Sequence, residues 1–157
     1  MSRGAAEDSA AAPRPLMLDL SGEPMMTSEM TNRIREILSV LRPAAVYVFG
    51  SHAADRARPE SDLDLAILPT GALSASQLVH ISSELSEALG RDVDMIGLGR
   101  SNAVLRKEVV NRGRLLYETD PLRRAEFEMY VLSDYARLNE ERAPVLAALG
   151  QPLPRNA

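Results

Sequence analysis

Two short apolar segments bracket one polar stretch, and the residues at their ends limit what this chain can be. Ala44-Ala45-Val46-Tyr47-Val48-Phe49 is β-branched and aromatic and reads as a buried strand. It ends on Gly50-Ser51, and after ten residues Asp62-Leu63-Asp64 opens a second apolar run, Leu65-Ala66-Ile67-Leu68. Side chains two apart on a strand share a face, so Asp62 and Asp64 stand together. Two carboxylates that close repel, and they are costly to bury unless a cation lies between them. Oxygen-only ligands suit a hard ion such as Mg²⁺ or Mn²⁺. Mg²⁺ usually completes its shell with phosphate oxygens and water. Gly50 lets backbone come close to a ligand, the N–H groups of such a turn cradle an anion, and the Ser51 hydroxyl adds a donor.

An isolated Asp-x-Asp is more often a solvated strand end or a turn cap. Here a third apolar run, Val93-Asp94-Met95-Ile96, carries another acid, and the joint pattern favours a metal and phosphate site. Asp92 competes with Asp94 for that third position. It precedes the apolar part of the run, so capping or solvation is its expected role.

Composition narrows the field further. A length of 157 residues fits one domain. With no Cys there is no disulfide framework, no thiolate zinc site and no Cys nucleophile. The net charge of −4 argues against general nucleic-acid binding, which wants a basic surface, so no direct nucleic-acid partner is expected. No apolar run approaches the ~20 residues needed to span a bilayer, and the N-terminus lacks the apolar core of a signal peptide. The expectation is a cytoplasmic protein with no membrane contact.

Residues 1–27 are rich in Ala, Ser, Gly and Pro and read as a flexible N-terminal tail, with Met17, Met25, Met26 and Met30 as alternative starts. Residues 28–143 form the expected working domain and 144–157 a C-terminal tail. A helix with Met30, Ile34, Ile37, Leu38 and Leu41 on one face begins after Thr27 or Ser28 and stops at Pro43. The two strands described above follow. A second helix spans about 74–89 with Leu78, Ile81, Leu85 and Leu89 inward and Gly90 at its end. The Asp92–Leu98 strand, a helix capped by Ser101 or Asn102, and a short edge strand from Arg114 come next. Asp120-Pro121 starts a long helix, with Phe127, Val131, Tyr135 and Leu138 in one stripe and an end near Arg142, before Pro144. The order implies an α/β sandwich, a small sheet with helices packed on it. Strand order does not follow from the pattern.

Gly50-Ser51, ten residues, Asp62-Leu63-Asp64 and then Asp94 on the next strand resemble the DNA polymerase β-type nucleotidyltransferases. The short chain resembles the minimal nucleotidyltransferases among them. The ending Gly113-Arg114-Leu115-Leu116-Tyr117, with Asp120 and a long helix after it, points to the MntA-like antitoxins of type VII toxin–antitoxin pairs. The resemblance spans about Met30 to Leu138. It implies an α/β (α+β) fold with a small mixed sheet and a long C-terminal helix. It implies that Gly50 and Ser51 hold the phosphates of ATP. Asp62 and Asp64 would bind two Mg²⁺ ions, and Asp94 would join them and help deprotonate the attacking hydroxyl. It also implies a partner, a cognate HEPN-domain toxin of the HepT type that receives AMP on a tyrosine.

Two other readings stand beside this one. A small-molecule nucleotidyltransferase, such as one acting on aminoglycosides, usually carries an extra helical domain, and the residues after Gly113 are few for that. An antitoxin that acts by binding alone would not need Asp62, Asp64 and Asp94 intact.

Weaker signals remain open. Arg100, Arg106, Lys107, Arg112 and Arg114 form either a solvated helix face or a patch toward the triphosphate or an acidic partner. His52 is a phosphate contact or a plain loop residue, His80 is structural, and Arg56 and Arg58 are expected to be exposed. Tyr130 and Tyr135 read as core or interface residues, and the Phe127 and Tyr135 stripe is a candidate partner or dimer surface.

Overall fold

The computed structural model of the protein describes residues 26–50 and 62–150. Helix α1 (Ser28–Leu38) runs into one 3₁₀ turn (Ser39–Leu41) and then strand β1 (Pro43–Phe49). Strand β2 (Leu63–Pro69), helix α2 (Ala75–Leu89), strand β3 (Val93–Gly97), helix α3 (Ala103–Arg112), strand β4 (Arg114–Glu118) and helix α4 (Pro121–Ala148) complete the order. The four strands make one sheet in the order β3-β2-β1-β4. Strand β1 is antiparallel to both neighbours, and β2 and β3 are parallel, so the sheet is mixed.

Side-chain alternation separates two apolar layers. Val46, Val48, Leu63, Leu65, Ile67 and Val93 pack with Ile34 and Leu38 of α1 and Ile81 and Leu85 of α2. Tyr47, Ala66 and Leu68 pack on the other side with Val109 of α3 and Phe127 of α4. The apolar spacing read from α1 and α2 is thus the spacing that is buried.

Capping chemistry sets the helix starts. The Thr27 hydroxyl accepts from the Met30 amide, Ser74 and Gln77 form a capping box, Asn102 accepts from Leu105, and Asp120 accepts from Arg123. Helix α2 ends on Gly90 in the left-handed region, φ +64°, where an L side chain is strained. Met26 is 1% exposed and packs in the α1–α2 layer. Met26 and Thr27, which composition places in the tail, therefore belong to the fold, and a chain begun at Met30 would lack both a core side chain and a helix cap.

Helix α4 does not stop near Arg142. It continues through Pro144 to Ala148. A proline inside a helix frees the carbonyl one turn earlier. That carbonyl belongs to Glu140, and both Glu140 and Pro144 are exposed, so water can satisfy it. A polar chain locks the first half of α4 onto the sheet. The Tyr47 hydroxyl donates to Glu128 Oε1 at 2.8 Å, Arg124 Nη1 pairs with Glu128 at 2.9 Å, and Arg124 Nε pairs with Glu118 of β4. Burial, then the Glu128 carboxylate, push the Tyr47 hydroxyl well above its ordinary range.

Candidate active site

Strand register brings the carboxylates together. Phe49 of β1 opposes Asp64 of β2, and Asp64 is the register partner of Asp94 on β3. The neighbours Leu63, Leu65 and Val93 are buried in the α1–α2 layer. Asp64 and Asp94 therefore lie on the opposite face, with Ala66 and Ile96, which pack in the layer of α3 and α4. Asp62 precedes β2 by one residue and is exposed, Asp64 is half-buried, and Asp94 is exposed. Asp64 and Asp94 share one end and one face of the sheet, and Asp62 stands at that end, just before β2.

Gly50 closes the other side. It follows β1 with φ +68°, and a Cβ built on it would stand 2.1 Å from Asp64 Oδ2 and 3.0 Å from Asp64 Cγ. The Asp64 carboxylate thus lies against the Gly50 backbone, in space that any side chain at that position would take. Ser51, with His52, Arg56 and Arg58, lies outside the described residues.

Among the described residues no three Asp, Glu or His side chains converge closely enough to hold a metal ion by themselves. The arrangement is an open edge of carboxylates, not a closed cage. It still fits a hard divalent ion in two respects. The donors are all oxygen, and the missing Cβ of Gly50 lets the Asp64 carboxylate lie against the turn after β1. Mg²⁺ typically takes only one or two carboxylates and leaves the rest of its shell to substrate phosphates and water.

Three residues that sequence reasoning passed over serve this end of the sheet. Arg91 follows Gly90, is half-buried and lies within range of the Asp62 charge. Burial lowers the Arg91 pKa, and the Asp62 charge opposes that shift. Ser82 and Ser86 of α2 bond to the backbone of Val93, next to Asp94. The available signal was their spacing: serines four apart on a helix share a face, and that face meets β3.

The basic cluster of α3 divides. Arg106 donates to the Leu98 carbonyl through Nε and to the Gly99 carbonyl through Nη2, each at 2.9 Å, so it braces the β3–α3 connection. Lys107 Nζ sits 4.1 Å from the Tyr135 ring centroid, a cation–π contact between α3 and α4. Arg112 pairs with Glu108 at 3.1 Å. Arg106 and Lys107 are thereby occupied within the domain, against the reading that they face a triphosphate. His80 is exposed on α2. Phe127 packs in the core and Tyr135 is half-buried under Lys107, so this stripe faces its own domain; the exposed apolar residues of α4 include Leu122, Met129, Tyr130 and Leu132.

Carboxylates on the edge of a small mixed sheet, beside a glycine turn that leads out of the adjoining strand, mark a nucleotide-transferring enzyme. The chain belongs to the polymerase beta nucleotidyltransferase family, whose model matches residues 32–122. Among curated proteins it is 29% identical over 120 residues to the protein adenylyltransferase MntA of Shewanella oneidensis, covering 73% of this chain and 84% of that one. Among solved structures it resembles a chain of a toxin–antitoxin crystallised with AMP-PNP, with a TM-score of 0.67 and 28% identity over 76% of this chain and 97% of that one. It also resembles a chain in the complex of the tri-AMPylated Shewanella oneidensis HEPN toxin with the MNT antitoxin, with a TM-score of 0.64, 26% identity, and 77% and 96% covered. The mixed sheet and the long C-terminal helix match the fold that the motif implied.

Proposed function

We propose that this chain is an antitoxin that transfers AMP from ATP to a tyrosine of a cognate HEPN-domain toxin of the HepT type, using Mg²⁺. The observation that carries this reading is the register of Asp64 with Asp94, with Gly50 set against Asp64. The relatives add the chemistry: one is an adenylyltransferase, one was crystallised with AMP-PNP, and one is bound to an AMPylated toxin.

In the transfer, the phenolic oxygen of the acceptor forms a bond to the α-phosphorus of ATP. The bond from that phosphorus to the α–β bridging oxygen breaks, and pyrophosphate leaves. Gly50, with Ser51 after it, holds the β- and γ-phosphates through backbone N–H groups. Asp62, Asp64 and Asp94 would hold the divalent ions, which when bound would supply charge neutralisation and activation of the attacking hydroxyl. Asp94 is exposed and takes the phenolic proton. The protein itself mainly positions the reactants, which is where much of the rate of phosphoryl-type transfer arises. No helix among the described residues is long and apolar enough to cross a membrane.

The test is to incubate the full chain with labelled ATP, Mg²⁺ and the purified cognate toxin, and to map the label by mass spectrometry. AMP on a toxin tyrosine, lost on chelation with EDTA, is the expected result. Label on a small molecule, or a stable unlabelled complex that silences the toxin, would overturn it.

A further inference from the structure

Strand β3 is an edge strand. In a parallel pair, alternate residues turn both backbone polar groups toward the neighbour, and those between turn theirs outward. The Leu63 amide donates to the Asp92 carbonyl at 2.9 Å and the Leu98 amide to the Ile67 carbonyl at 2.8 Å. The even-numbered residues of β3 therefore face β2, and Val93 presents its N–H and C=O to the outside of the sheet.

Both groups are taken by α2. The Val93 amide donates to Ser86 Oγ at 3.0 Å, and Ser82 Oγ donates to the Val93 carbonyl. Ser86 Oγ also donates to the Ser82 carbonyl at 2.9 Å, so the two bonds form one connected chain. The Gly90 and Arg91 amides return to the Ser86 carbonyl and fix the turn between helix and strand. Both serines are half-buried. The residue held on both sides is the one before Asp94, and Asp94 is in register with Asp64.

We propose that Ser82 and Ser86 are positioning residues that hold Asp94 in register with Asp64 for metal binding and transfer; this rests on the nucleotidyl-transfer reading above. The physical need is plain. Unpaired edge groups exchange with water and let a strand end fray. Asp94 stands at the end of β3 where fraying begins, and small displacements of a reacting group are costly in rate. The clamp ties that end to α2, whose Ile81 and Leu85 are buried in the core.

The test uses the full chain as Ser86→Ala, Ser82→Ala and Ser86→Thr, the last retaining the hydroxyl. Three readouts are taken: the kcat and KM for ATP in AMP transfer, Mn²⁺ affinity by calorimetry, and hydrogen exchange at the Val93 amide. Groups that orient metal ligands typically cost ~10–100-fold in affinity or activity when removed, so each alanine variant should lose about tenfold or more in Mn²⁺ affinity and in kcat. KM for ATP should move less, Val93 exchange should quicken in Ser86→Ala, and Ser86→Thr should recover most of the loss. Should Ser86→Ala fail to fold, Ser82→Ala carries the same expectation. Unchanged kcat and Mn²⁺ affinity in folded alanine variants would overturn the clamp, as would a wild-type chain that binds no Mn²⁺. If the wild type binds Mn²⁺ yet transfers no AMP, the proposed function fails. The Mn²⁺ affinities still decide the clamp.

Discussion

A Cβ on Gly50 would stand 2.1 Å from Asp64 Oδ2, well inside contact distance. The turn after β1 and the first carboxylate of β2 therefore occupy adjoining space, and neither can change alone. Gly50→Ala must displace the Asp64 carboxylate or the turn, and it also places a side chain at φ +68°. A displacement of ~1 Å at a reacting group can cost ~100-fold in rate. The expected outcome is a loss of AMP transfer of about that size or larger, with the melting temperature lowered by strain of roughly 1–2 kcal/mol. Transfer at the wild-type rate would contradict the close approach.

Asp64 and Asp94 are like charges on directly paired residues. Like charges set side by side on neighbouring strands destabilise a sheet. Asp94→Asn should therefore abolish transfer while raising thermal stability slightly in metal-free buffer. Adding Mg²⁺ should stabilise the wild type more than the variant, because only a bound ion relieves the repulsion and adds binding energy. Thermal unfolding with and without EDTA reads both effects. Equal Mg²⁺ stabilisation of the two chains would remove Asp94 from the ligand set.

Met26 is fully buried although composition assigns it to the tail. Met26→Ala should cost about 2–5 kcal/mol, the usual range for emptying a buried Met site. Thr27→Ala should cost about 1 kcal/mol through the lost cap to the Met30 amide. Denaturant midpoints of chains beginning at residues 25 and 30 should differ in the same direction. Equal midpoints would mean that the α1–α2 layer closes without Met26.

Alkaline pH should unfold the protein by a route readable in tyrosinate absorbance. Burial pushes the Tyr117 hydroxyl up to about 12, with Arg35 over its ring opposing, and burial with Glu128 raises Tyr47 further. The unfolded chain loses these protons near pH ~10. Their contribution to stability is whole below that value and falls as pH rises toward 12 for Tyr117, and higher for Tyr47. Tyrosinate from these two should appear together with loss of helical circular dichroism. Ionisation of both in a chain that keeps its native spectrum would contradict the burial argument.

The two hydroxyls differ in one further respect. Tyr47 donates to Glu128 at 2.8 Å, whereas the buried Tyr117 oxygen has no hydrogen-bond partner among the described residues. Tyr47→Phe should destabilise, by about 1–3 kcal/mol for a bond to a charged group. Tyr117→Phe should be neutral or stabilising, since it removes a desolvated group that makes no bond to the described residues. Guanidinium unfolding of the two variants compares them directly, and the reverse order would sink the account.

Much of the fold was legible because local chemistry and tertiary packing agree. The apolar period of α1 and α2, the caps at Thr27, Asn102 and Asp120, and the strands around Val46 and Leu65 all rest on near-neighbour rules. Pro144 was misleading for a physical reason. A proline breaks a helix where the freed carbonyl is starved of partners, and at Glu140 water is at hand. The Phe127 and Tyr135 stripe allowed both a core and a partner surface, and the structure chose between them. Aromatics at helical spacing mark burial, and here the burying surface is the domain itself. The arginine and lysine of α3 could not be assigned from charge alone, because their partners are the Leu98 and Gly99 carbonyls and the Tyr135 ring.

By itself the sequence determined the donor types and their local spacing. Asp62 and Asp64 stand two apart at the start of an apolar run, and Gly50 permits a close approach because it lacks a Cβ. Only the tertiary structure decided which residues meet. Strand order is a matter of long-range pairing, which local pattern does not encode, and the order β3-β2-β1-β4 is what sets Asp94 beside Asp64 and Phe49 across from it. The same pairing left the outer edge of β3 open at Val93, and α2 supplied Ser82 and Ser86 to close it. The spacing of four puts those two serines on one helix face, but their role exists only where that face meets a strand edge.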